Sequence, residues 1–257
     1  MVMASRLGRK YIGIDQSVAA LDVTSNRLKN DGIFTSFEIE KYYYAEEDLR
    51  AMKGLEFERF IVGKFGGTPN TKQVGDFGLD GFKDGVPIQV KNHKNNTGRR
   101  DIDNFYSSIR RDRNFNDNMK KGLPSGYFIS WGFAKEAVDE LARLKREENV
   151  VIERVLINEI LPVAKKPVVK ITCEKVEDKY KFVVTSDSNI INYSWDFQYL
   201  IPAHKHPEET AEFKPTVLYD KKGVQVRGFS SAGQHNIAVK VVDDKCLENV
   251  AVLSINI

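Results

Sequence analysis

The sequence predicts an α/β unit, a mixed sheet flanked by helices, joined to a C-terminal all-β sandwich. Between residues 54 and 162, runs with helical apolar spacing alternate with short strand-like runs, as in a sheet covered by helices. Leu161-Pro162-Val163-Ala164-Lys165-Lys166-Pro167 then combines two prolines and two lysines between periodic segments, and 163–167 is read as a linker. Beyond it the helical period disappears. Runs at 168–173, 180–185, 192–197, 224–229, 235–242 and 250–257 read as strands with turn residues between them. Their spacing predicts a sandwich of immunoglobulin-like size over 168–257.

Each element has its own local reason. Arg9-Lys10-Tyr11-Ile12-Gly13-Ile14-Asp15 reads as a buried strand ending in an acid. Ser17 is a plausible N-cap, and Val18, Leu21 and Leu28 repeat near helical spacing, so residues 1–30 are expected to form a strand and a helix. Residues 31–53, with Tyr42-Tyr43-Tyr44 and Glu46-Glu47-Asp48, read as a connector. A helix starts at Gly54, with Leu55, Ile61 and Val62 on one side. Asp84-Gly85 is a strong two-residue hairpin signal. A helix follows at 101–111, where Ile102, Phe105, Tyr106 and Ile109 share a face. Residues 127–130 form an apolar strand, 133–148 a helix with Ala134, Val138, Leu141 and Leu144 on one side, and 150–161 one or two further strands.

The hairpin brings chemistry together. With Asp84 and Gly85 as the turn, Lys83 pairs with Val86 and Phe82 with Pro87, so Asp80 falls opposite Gln89. Side chains alternate along a strand, so Gln89 and Lys91 share a face while Val86, Ile88 and Val90 take the other. A carboxylate, a neutral oxygen donor and an ammonium gathered this way can hold a hard divalent cation and a water beside a phosphate. Upstream, Glu58 lies on the apolar side of its helix, with Glu56 in reserve. From Lys91 to Lys121 there are nine Lys or Arg against four Asp, interleaved with Asn and aromatic residues. Basic groups of this kind pair with phosphates, and amides reach base edges. Candidate DNA contacts are Lys94, Arg99, Arg100, Arg110, Arg111 and Arg113.

These residues carry a resemblance. Gly75-Asp76-Phe77-Gly78-Leu79-Asp80-Gly81 followed by Gln89-Val90-Lys91 resembles the PD-(D/E)xK nuclease superfamily, and within it the Mrr-like restriction endonucleases, in which the middle acid is often Gln. Gly54-Leu55-Glu56-Phe57-Glu58-Arg59-Phe60-Ile61 matches the upstream acidic helix, and Gly126-Tyr127-Phe128-Ile129-Ser130 with the helix after it matches the downstream part. The resemblance covers residues 54–162 and favours Glu58 over Glu56. It implies a restriction-endonuclease-like fold and a Mg²⁺-dependent, type II-like endonuclease acting on double-stranded DNA, with Mn²⁺ as a substitute. Asp80 would be the principal metal ligand, helped by Gln89, the Val90 carbonyl and Glu58, and Lys91 would orient the attacking water.

Leu7, Gly8, Arg9, Ile12, Gly13, Ile14 and Asp15 resemble the last strand of an amino-type (N6-adenine/N4-cytosine) DNA methyltransferase, where the strand-end acid binds the cofactor ribose. The glycine loop and the catalytic Asp-Pro-Pro-Tyr or Asn-Pro-Pro-Tyr motif are missing from the sequence, so Asp15 reads as vestigial and S-adenosylmethionine is not expected to serve this chain alone. The resemblance implies the tail of a methyltransferase–endonuclease fusion whose first part is either absent or a separate methyltransferase half. Ile191-Asn192-Tyr193-Ser194-Trp195-Asp196-Phe197 and the run from Gly233 to Asp243 resemble PKD-type domains, with Trp195 a core residue. Two alternatives stand beside the endonuclease: a catalytically inactive DNA-binding module, and an accessory subunit of a split methyltransferase.

The whole chain sets bounds. A formal charge of +3 is too small by itself to argue for nucleic acid. Cys173 and Cys246 are the only cysteines and lack zinc-site spacing. His204 and His206 flank Lys205 in a loop, an incomplete metal site. No apolar run is long enough to span a membrane, and residues 1–10 have no apolar core of signal-peptide length, so a cytoplasmic protein is expected. Double-strand cleavage with one site per chain would call for a homodimer.

Overall fold

The computed structural model describes residues 1–15, 23–25, 27–29, 43–70, 78–112, 114–201 and 213–257. It divides into two compact units, one of Tyr44–Ala164 and one of Met1–Tyr43 with Lys165–Ile257. After α1 (Val2–Arg6) the first unit begins with β1 (Tyr44–Ala45), α2 (Glu46–Ala51), α3 (Gly54–Lys64), β2 (Thr68–Pro69), β3 (Gly81–Lys83) and β4 (Val86–Lys91). It continues with α4 (Arg99–Ile109), α5 (Phe115–Lys120), β5 (Gly126–Ser130), α6 (Lys135–Glu148), β6 (Ile152–Leu156), α7 (Ile157–Ile160) and β7 (Val163–Ala164).

Five strands form a mixed sheet in the order β2-β3-β4-β5-β6. β3 runs antiparallel to both β2 and β4, while β4, β5 and β6 are parallel. Strand alternation sends residues of the same strand to opposite faces. Ile88, Val90 and Ile129 pack with Phe57, Ile61 and Val62 of α3 and with Leu49 and Ile157. Phe128 and Ile152 pack on the other side with Ile102, Phe105 and Ile109 of α4 and with Ala137 and Leu144 of α6. Helices therefore cover both faces, as the alternation of periods leads one to expect.

Several boundaries differ from the sequence expectation. The last residues of the expected connector 31–53 belong to the unit: β1 runs parallel to β7, and Leu49 is buried in the core. The first two residues of the expected linker, Val163 and Ala164, are that partner strand. The apolar Tyr44, Leu49 and Val163 find a core to enter, which composition alone did not show. The expected second strand in 150–161 is instead the short helix α7, its Leu156 N–H accepted by the Glu159 carboxylate at 2.8 Å. The helix expected at 101–111 runs from Arg99 to Ile109.

Of the N-terminal expectation, the strand fails and part of the helix is present. Residues 9–15 lie outside any helix or strand, with Ile12 92% and Ile14 96% exposed, and Asp15 is on this exposed segment. Apolar alternation makes a strand only where a neighbour supplies hydrogen bonds and a buried face. Residues 23–25 and 27–29 are helical and Leu28 is buried. Ser17, Val18, Leu21, Gly75, Asp76, Phe77, Arg113, His204 and His206 lie outside the described residues.

In the second unit the strands are β8 (Val169–Val176), β9 (Lys179–Ser186), β10 (Ile190–Asp196), β11 (Val217–Asp220), β12 (Val224–Arg227), β13 (Gln234–Asp243) and β14 (Glu248–Asn256). They form two antiparallel sheets, β11-β10-β13-β14 and β12-β9-β8. Ile171 and Phe182 from one and Trp195, Ile237, Val239 and Val241 from the other enclose a single core, which makes the unit a β-sandwich. Trp195 is fully buried and its indole N–H donates to Asp220 at 3.1 Å. β11 is the strand the sequence reading lacks: only four residues long, it contains Tyr219 in left-handed backbone (φ 56°). Cys173 and Cys246 form no disulfide. Among the described residues no helix is long and apolar enough to cross a membrane.

Candidate active site

The site grows from the turn. Asp84 and Gly85 both have positive φ, 52° and 79°, as a two-residue I′-type hairpin requires. Lys83 pairs with Val86, Phe82 with Pro87 and Gly81 with Ile88. The ladder closes on the Asp80 N–H, which donates to the Ile88 carbonyl at 2.9 Å. The hairpin is held from outside as well. Buried Asn118 donates to the Gly85 carbonyl at 3.1 Å, and Lys83 donates to the Phe65 carbonyl at 2.9 Å.

This register sets Asp80 beside Gln89. Asp80 Oδ2 accepts from Gln89 Nε2 at 2.5 Å and from the Val90 N–H at 2.6 Å. Gln89 is buried, while Asp80 and Lys91 are half-buried at the rim. Gly81 has a steric reason to be glycine: a Cβ there would lie 2.7 Å from both the Thr68 carbonyl oxygen and a Val62 methyl. Helix α3, β2 and β3 thus converge tightly beside Asp80.

Burial is the main reason that Asp80 is pushed up from its ordinary 3.8 to about 7. The Val90 N–H opposes this, the Glu58 charge adds to it, and Lys91 and Gln89 oppose it more weakly. Glu58 therefore acts on Asp80, and it is half-buried where Glu56 is exposed. The donors on offer to a cation are two carboxylates, the Gln89 amide oxygen and backbone carbonyls, all hard oxygen ligands of the kind Mg²⁺ takes. A cation held there would offset the cost of carrying the Asp80 charge in a buried setting. Among the described residues no three His, Cys, Asp or Glu side chains form a metal cluster, and this donor set, with two acids, does not need one.

The basic candidates divide. Lys94, Arg100, Arg110 and Arg111 are exposed. Arg99 is engaged by the fold, 3.2 Å from buried Glu140 of α6 and 3.5 Å from Asp103, so it ties α4 to α6. Arg110 stands 5.6 Å from the Tyr106 ring centroid.

Three residues meet at the end of β4; sequence reasoning counts Asn92 only among the amides of the basic segment and misses Trp131 and Arg50. Asn92 Oδ1 accepts the Trp131 indole N–H at 2.8 Å, and its Nδ2 lies 3.2 Å from the Leu49 carbonyl and 3.3 Å from that of Arg50. The Arg50 guanidinium lies 4.3 Å over the Trp131 ring and donates to the His93 carbonyl at 3.1 Å. No local pattern announces these contacts, which join residues 39 to 81 positions apart.

No family model and no curated protein matches the chain. Among solved structures, the PKD1 domain of Vibrio anguillarum Epp is 17% identical with a TM-score of 0.27, covering 36% of this chain and 94% of that one. The PKD1 domain from the Vibrio cholerae metalloprotease PrtV is 19% identical with a TM-score of 0.26, covering 36% of this chain and 96% of that one. Likeness of this degree carries no argument about function.

Proposed function

We propose that the unit Tyr44–Ala164 is a Mg²⁺-dependent endonuclease that hydrolyses phosphodiester bonds of double-stranded DNA, in the manner of a PD-(D/E)xK, Mrr-like restriction enzyme. The observation that carries this reading is the hairpin, whose register joins Asp80 to Gln89 and the Val90 amide with Lys91 next along the strand. Asp80, Glu58, the Gln89 side-chain oxygen and the Val90 carbonyl would hold the ion. Bound there, Mg²⁺ would polarise the scissile phosphate and make a coordinated water more acidic. Lys91 would orient that water by hydrogen bonding and offset charge on the phosphate oxygens as bonds change. Exposed Lys94, Arg100, Arg110 and Arg111 would pair with the DNA backbone. The Mrr-like wording and the methyltransferase-like wording of residues 7–15 are what favour restriction over repair.

One observation favours a second reading, a DNA-binding module without catalysis. The Gln89 amide already donates to Asp80, so the carboxyl has a side-chain partner without an ion.

Supercoiled plasmid, methylated and unmethylated, separates the two. The full chain should nick or linearise it with Mg²⁺ or Mn²⁺ and not with chelator. Lys91→Ala and Asp80→Ala should each lose on the order of a hundredfold or more in rate. DNA binding without cleavage under every condition would sink the endonuclease and leave the binding module.

A further inference from the structure

We propose that Asn92, keyed to Trp131 and to the backbone of Leu49 and Arg50, is a positioning residue that fixes Lys91 for phosphodiester hydrolysis; the proposal rests on the endonuclease reading above. Lys91 is the last residue of β4, in register with Ser130, the last of β5. Where a ladder stops, backbone hydrogen bonds are the first to open, and a lysine ammonium on a four-carbon stem inherits any such motion. At this strand end other contacts take over from the ladder. Asn92 makes three hydrogen bonds, one from the Trp131 indole and two to α2 carbonyls. Trp131 is itself held, stacked on Phe57 at 6.2 Å between centroids and covered by the Arg50 guanidinium at 4.3 Å. Arg50 then grips the next residue, through the His93 carbonyl at 3.1 Å.

The far end of the same loop is fixed too. Buried Thr97 donates to Ser130 at 2.7 Å, and the Thr97 N–H donates to the Gly132 carbonyl at 2.9 Å. The six residues after Lys91 are thus anchored at both ends on the carboxyl edge of β5. The three groups hydrogen-bonded to Asn92 are neutral dipoles, so the anchor fixes the backbone without adding an anion beside the ammonium. A network of this kind serves catalysis only if the position of Lys91 matters in the transition state, and that is what kinetics can read.

The test uses the full chain with Mg²⁺ and plasmid, comparing wild type, Asn92→Asp, Trp131→Phe and Lys91→Ala. Asn92→Asp keeps an acceptor for Trp131 but turns an anion toward the Leu49 and Arg50 carbonyls. Trp131→Phe keeps an aromatic ring and removes the indole donor together with part of the stacking surface. Both variants should lose kcat on the order of 10- to 100-fold, with KM for DNA within about twofold of wild type and the protein folded by circular dichroism at the assay temperature. Folded variants with wild-type kcat would overturn the positioning role, and so would a loss confined to KM, which would signify DNA binding instead. A wild-type chain that cleaves no DNA overturns the endonuclease reading and this proposal with it, whereas a cleaving wild type with fully active variants overturns this proposal alone.

Discussion

Asp80 shows how one side chain can be costly to the fold and useful to a site. Its carboxyl stands near 7 in the folded chain against an ordinary 3.8, chiefly through burial. Between these values the folded state retains a proton that the unfolded chain has released. Lowering the pH through that window therefore stabilises the fold, and above about 7 the buried charge is carried at full cost. Asp80→Asn keeps an acceptor for the Val90 N–H and removes the charge. In urea unfolding without divalent cations, the variant should be more stable than wild type at pH 8, by on the order of 1–4 kcal/mol. The advantage should shrink as the pH falls toward 4, and an advantage independent of pH would refute the assignment. Added Mg²⁺ should erase it at pH 8, because a ligand of the folded wild type alone stabilises only that form.

At the scale of elements, the sequence was most legible where geometry is local. Asp84-Gly85 dictates left-handed backbone at both turn positions, that turn dictates the register, and the register dictates that Asp80 meets Gln89. The same reasoning misleads at residues 9–15, because strand-like alternation in Tyr11, Ile12 and Ile14 says nothing about whether a neighbouring strand exists. It misses the Asn92–Trp131 link, which depends on how β4, β5 and α2 end together. Gly81 lies between these cases. In the sequence it looks like a turn glycine, yet its need is steric, a close approach of β2 and α3. Gly81→Ala should cost about 1–3 kcal/mol, since the nearest atoms include the Thr68 backbone and cannot simply rotate aside. Chemical denaturation checks this, and a neutral result would mean that β2 can give way.

For the molecule as a whole, the composition shift at 161–167 locates the change from a helix-covered sheet to a sandwich, but the edge of the first unit lies in side chains that look like linker. Tyr44 and Ala45 pair with Val163 and Ala164, and Leu49 is buried against Phe57, Ile61 and Ile157. A segment cut at 54–162 by sequence reasoning would discard that strand pair, the Leu49 side chain and the α2 carbonyls that Asn92 holds. Loss of one buried leucine side chain alone costs about 2–5 kcal/mol. Residues 44–164 should therefore unfold cooperatively in urea, and residues 54–162 should be less stable by at least roughly 3 kcal/mol or fail to fold. Trp131 reports on both, being the single tryptophan in either segment, and it loses its Arg50 cover only in the shorter one. Equal stability of the two segments would show that β1, α2 and β7 decorate the unit rather than complete it. The expected gap would instead make residues 44–53 part of the folded unit, since the same segment that closes the core also supplies the carbonyls that Asn92 holds at the end of β4.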